Sequence, residues 1–69
     1  MEALNLKAER LNRGLRQSDL AKIMNTKPQT ISNWEKGIST PHYSKLKELE
    51  SYFKKTIEYL FSEYKEEER

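Results

Sequence analysis

Apolar residues recur along this chain at helical spacing. Leu4, Ala8 and Leu11 fall at i, i+4 and i+7. Leu20, Ala21 and Met24 make a second set, and Leu46, Leu49 and Phe53 a third. Ile57, Leu60, Phe61 and Tyr64 make a fourth. Period-two alternation and β-branched runs, which strands require, are missing from the sequence. The pattern predicts an all-α chain with helices near 2–12, 17–24, 28–36, 43–53 and 57–64.

Punctuation between the sets agrees. Gly14 and Gly37 stand where the first and third helices should stop, since glycine adopts a left-handed cap at little cost. Pro41 falls in the next connection, and Thr56 is an expected N-cap for the last helix. The stretch NTKPQTISNWEKG, residues 25–37, carries a helix-start signature. Thr26 is the expected N-cap, Gln29 the residue returning a bond to it, and Pro28 a first-turn residue whose missing N–H costs nothing. The helix before it ends close by, so only a tight turn can join the two. Asn25 suits that turn because it tolerates left-handed angles.

Length and composition narrow the class. At 69 residues a single domain is expected, with 35% hydrophobic and 35% charged residues giving a thin core under a charged surface. Seven aromatics and eight leucines argue against a disordered chain. Without cysteine there is neither a disulfide nor a thiolate metal site. No apolar run reaches bilayer length and the first residues do not read as a signal peptide, so a cytoplasmic protein is expected. The net charge of +2 is unevenly spread. Residues 1–40 carry seven Lys/Arg against four Asp/Glu, whereas residues 41–69 carry six against seven. Residues 1–64 are expected to form the domain, and 65–69 a charged, frayed tail.

On the third helix, Ile31 and Trp34 point one way, toward a core. Gln29, Ser32, Asn33 and Lys36 point another, on a polar face nearly free of acid. An ordinary solvated face mixes Glu with Lys. Amides and hydroxyls both donate and accept, Gln and Asn pair with adenine, and an α-helix fits the major groove. That face has the composition of a surface for reading DNA bases.

The segments LKAERLNRGLRQSDLAKIMNTKPQTISNWEKG and PHYSKLKEL extend this reading. Together, from about Leu6 to Phe61, the chain resembles the phage-repressor and Cro type of helix-turn-helix domain, the XRE family. Gln17, Leu20, Ala21, Thr26, Ile31, Trp34, Glu35 and Gly37 fall where the family pattern puts such residues. The resemblance implies a compact five-helix, lambda-repressor-like fold and double-stranded DNA as partner. It implies base contacts from Gln29, Asn33, Ser32 and Pro28, and phosphate contacts from Gln17, Lys27, Arg16, Thr30, Arg13 and Lys36. Arg10 and Glu35 match a pair that commonly forms a structural ion pair behind the recognition helix. The chain departs from the pattern at Arg16, where a small capping residue is usual, and at Asn25, where glycine is. It departs again at Pro28, which offers only an apolar surface, and at Lys54-Lys55, which replace a Gly-apolar pair.

Other residues have plainer readings. Trp34 is expected in the core, His42 at the start of the fourth helix, and Tyr43 and Tyr52 partly in the core. Tyr59, Phe61 and Tyr64 lie on a last helix that cannot bury all its faces. They form a candidate dimer surface, with packing on the first helix as the alternative. No Gly-rich phosphate loop, nucleophilic cysteine or paired histidine is present, so an enzyme, a cofactor, a metal or a small-molecule ligand is not expected. Two functions remain open. One is a homodimeric Cro-like or immunity-type repressor on an inverted-repeat operator, acting by promoter occlusion. The other is a protein-binding antitoxin or anti-regulator module with the same fold.

Overall fold

The computed structural model describes residues 3–61. Its helices, in chain order, are α1 (Leu4–Asn12), α2 (Gln17–Ile23), α3 (Pro28–Lys36), α4 (Tyr43–Phe53) and α5 (Ile57–Leu60). No strand occurs among the described residues. One core gathers apolar side chains from all five, with Leu6, Leu20, Ile31, Leu49, Phe53 and Leu60 sealed from solvent.

The first helix corrects its predicted stripe. Leu4 and Leu11 are 61% and 55% exposed, and Ala8 is exposed as well. The buried side carries Ala3, Leu6 and Arg10 instead. A charged residue occupies a core position there, so a search for apolar repeats selects the wrong face. The helix also begins at Leu4 rather than at residue 2, because Ala3 has non-helical angles. The Ala3 N–H donates to the Glu35 carbonyl at 3.0 Å, which pins the start of α1 to the end of α3. The helix ends at Asn12, and Gly14, just past its C-cap Arg13, takes a left-handed φ of +70°. A Cβ there would meet nothing within 4 Å, so glycine serves the angle and not a close approach.

Between α2 and α3 the chain turns at Asn25, with φ of +58°. The Thr26 N–H donates back to the Ala21 carbonyl at 2.8 Å and closes the turn. The cap of α3 differs from the expected one. Lys27, not Thr26, is the N-cap, and no side chain caps the helix. Pro28 holds the residue before it in extended backbone, so the helix cannot start earlier, and Thr26 falls one residue too far back. Gln29 is then free to face forward. At the other end Gly37 takes φ of +80°, and the Ile38 N–H donates to the Asn33 carbonyl at 2.9 Å.

Leu46, Leu49 and Phe53 fill the inner face of α4. Tyr43 and Tyr52 flank that arc and are exposed, against the expectation of partial burial. Tyr52 lies edge-on to Phe53 with ring centroids 5.0 Å apart. The helix closes on Lys54, a non-glycine residue at φ +58°. Thr56 caps α5 as expected, its hydroxyl accepting from the Tyr59 N–H at 3.1 Å.

The last helix is shorter than the predicted 57–64, since Phe61 has non-helical angles. Ile57, Leu60 and Phe61 share one side of it and all enter the core. Phe61 is 2% exposed, which removes it from the candidate dimer surface. Tyr59 points out, and its hydroxyl donates to Glu9 Oε2 at 3.0 Å. Tyr64 and the tail at 65–69 lie outside the described residues.

Candidate nucleic-acid interface

Two helices and a tight turn form the site. α2 lies across the inner side of α3, and the small side chain of Ala21, 1% exposed, lets the two backbones approach. Ile31 and Trp34 anchor α3 from within. Its outer face then presents Pro28, Gln29 and Lys36 fully and Ser32 and Asn33 in part. Lys27 is exposed at the start of the helix, and Thr30 is half-buried at its side.

Gln29 and Asn33 do not point out independently. Gln29 Nε2 donates to Asn33 Oδ1 at 2.9 Å. The contact leaves the Gln29 carbonyl as an acceptor and the Asn33 amide nitrogen as a donor, neither of them used by this bond. Adenine presents the complementary donor and acceptor on its major-groove edge. The only carboxylate on α3 is Glu35, which is buried, so a polyanion meets no repulsion from this helix.

Glu35 belongs to a network behind the helix. Arg10 Nε and Nη2 donate to its two oxygens at 2.7 and 3.2 Å, with the side chains only 6% and 4% exposed. Arg10 Nη1 satisfies the Leu15 carbonyl at 2.8 Å. Gln17 Nε2 donates to Glu35 Oε1 at 3.2 Å. This chain of bonds orients α1, the start of α2 and α3 against one another. It leaves no buried side-chain polar atom without a partner among the described residues.

The remaining predicted residues divide. Arg16 is largely exposed and pairs with Asp19 at 3.2 Å, while its backbone N–H also donates to that carboxylate at 2.8 Å. Those bonds hold the Asp19 carboxyl below its ordinary value, the side-chain bond from Arg16 contributing most. Arg13 is engaged elsewhere. Its guanidinium pairs with Glu9 at 2.7 Å, donates to the Phe53 carbonyl at 3.2 Å, and stacks 4.8 Å from the Phe53 ring centroid. It ties α1 to the end of α4 and is not brought together with α3.

Two lysines escaped the sequence reading. Lys45 Nζ donates to the Met24 carbonyl at 2.7 Å, fastening α4 to the C-terminal end of α2 next to the turn. Nothing in its sequence neighbourhood signals that contact. Lys7 stands near Gln17, Ser32 and Lys36 around one recess. Its position one turn before Arg10, on the side that faces α3, is a signal that could have found it.

No described helix is long and apolar enough to cross a membrane. Comparison with curated proteins and with solved structures gave no significant match. A family model described as helix-turn-helix matches residues 6–60, which spans all five helices except Leu4 and Asn5 at the start of α1. With that match over most of its length, the chain belongs to the helix-turn-helix family, as a DNA-binding regulator of the XRE type.

Proposed function

We propose that this protein is a sequence-specific repressor that reads duplex DNA through the outer face of α3. Gln29 and Asn33 contact base edges, with Ser32 beside them and Pro28 offering apolar contact to a thymine methyl. Lys27, Thr30, Lys36, Arg16 and Gln17 hold backbone phosphates and set the register. The observation that carries this reading is the coupled Gln29–Asn33 amide pair on a helix face without acid. One such helix covers only a few base pairs. Two copies on an inverted repeat, about 34 Å apart, supply the rest of the specificity. No effector domain is needed for this, since occupancy of a promoter excludes polymerase.

The test is selection of binding sites from a random duplex pool at about 150 mM salt, where weak backbone binding fades. Enrichment of an inverted repeat with half-sites one turn apart is the expected result. A single enriched half-site would remove the dimer. No enrichment at all would overturn base reading.

A further inference from the structure

Between the start of α1 and the α2–α3 pair lies a half-open recess of about 150 Å³, lined by Leu4, Lys7, Gln17, Ser32, Glu35 and Lys36. Its two lysines come from different helices, Lys7 from α1 and Lys36 from the last turn of α3. Neither forms an ion pair among the described residues. The one carboxylate in the wall, Glu35, already accepts from Arg10 and from Gln17. Its charge is neutralised from behind, so the recess is open to an anion.

The donors suit one anion type. Two ammonium groups supply point charges, which match a phosphate without demanding the planar geometry of a guanidinium fork. Gln17 holds one amide hydrogen on Glu35 and keeps another donor, and the half-buried Ser32 hydroxyl adds a further one. Leu4 contributes an apolar wall. Ser32 and Lys36 belong at once to this recess and to the outer face of α3, so a group seated in it lies alongside whatever α3 reads.

We infer that Lys7, together with Lys36, Gln17 and Ser32, takes one backbone phosphate of the duplex lying on α3. The inference rests on the DNA-reading proposal and adds to it a contact from outside the two motif helices. Lys7 clamps the phosphate from the α1 side while Lys36 approaches from α3. The recess thereby fixes how deeply α3 sits in the groove.

The experiment compares wild type with Lys7→Gln on a selected duplex and on a random duplex, across a salt series. Lys7 is exposed and its side chain bonds to nothing described, so the unfolding midpoint of Lys7→Gln should equal that of wild type. The expected result is an equal loss of affinity on both duplexes, about threefold to tenfold. The slope of log affinity against log salt should also shrink by about one contact. Unchanged affinity and slope in Lys7→Gln overturns the inference and leaves the DNA-reading proposal standing. A loss confined to the selected duplex also overturns it, since the contact would then be to a base. If wild type binds no duplex, both fail together, and the wild-type arm alone reveals that. A parallel titration with inorganic phosphate separates the sources. Lys7-dependent phosphate binding without any effect on duplex affinity would make the recess a free-anion site and overturn the assignment to DNA.

Discussion

The outer face of α3 and the part of the outer surface that carries Glu9, Glu48 and Glu50 treat charge in opposite ways. On the second surface Glu9 holds Arg13, Glu48 holds Lys45 and Glu50 holds Lys47, at distances of 2.7, 3.5 and 2.9 Å. On α3, Lys27 and Lys36 have no ion pair among the described residues, and the helix's only carboxylate is turned inward to Arg10. Exposed pairs contribute little to stability, about 0 to 1 kcal/mol each. Their use is to balance the surface locally. A face left unbalanced beside a balanced one is a face arranged for an anionic partner, and here the helix that carries it is held from behind by Arg10 and Gln17 on Glu35.

The comparison can be broken most forcefully at its buried end. Glu35→Ala strands Arg10 in the core and frees Gln17, and should cost about 3–5 kcal/mol. For a domain this small that is most of its stability, so denaturant titration should find it largely unfolded. The contrasting change Glu48→Ala, on an exposed pair, should move stability by less than about 0.5 kcal/mol. Equal effects would mean that Arg10–Glu35 is not the frame of the site.

Asn33→Ala sharpens the comparison on the functional side. It should weaken binding to the selected site by about 1–3 kcal/mol and relax one base position, with the unfolding midpoint unmoved. Selection repeated with the variant reads this directly, and an unchanged consensus would take Asn33 out of the reading face.

A smaller effect of opposite sign is expected at Lys54. Its left-handed angles strain a side chain that carries a Cβ, so Lys54→Gly should stabilise the fold by about 1 kcal/mol. A thermal unfolding midpoint that stays put or falls would disprove it. DNA affinity should not change, because Lys54 lies at the α4–α5 corner.

The pH response is the mildest. Arg13 and then Tyr59 hold the Glu9 carboxyl below its ordinary value, and Arg16 does the same for Asp19. Each group binds its proton more weakly folded than unfolded. Their contribution is therefore complete above the ordinary carboxylate range and is lost as pH falls through that range toward the lowered folded values. Glu9→Gln should flatten part of the acid limb of a stability–pH curve. An acid limb identical to wild type would show that the pair adds nothing.

What the sequence conveyed follows from how local each feature is. Helix ends at Gly14, Asn25, Gly37 and Thr56 could be read because backbone angles and caps are settled within a few residues. Burial could not be read as well. Leu4 and Leu11 look like a core stripe but face solvent, because the apolar pattern of α1 is interrupted by a buried arginine. Phe61 looked like surface, because a last helix running to residue 64 was expected to carry more aromatic residues than the rest of the domain could cover. The helix ends at Leu60, and Phe61 turns into the core. Thr26 lost its cap role to the constraint Pro28 imposes on Lys27. The Arg10–Glu35 pair was legible only through resemblance, since no hydrophobic pattern announces a salt bridge in a core. Lys45 on the Met24 carbonyl depends wholly on the packing of α4, and the sequence carries no trace of it.

The 2.9 Å bond from Gln29 to Asn33 bears on how a binding preference can change over generations. If one amide steers the other, the two positions are epistatic. A substitution at 29 alters what 33 recognises, even when 33 is untouched. Single steps then tend to blur both letters of the preference before a new one sharpens. A library that varies positions 29 and 33 jointly should yield working specificities that neither single-site library contains, and those specificities should come as matched pairs.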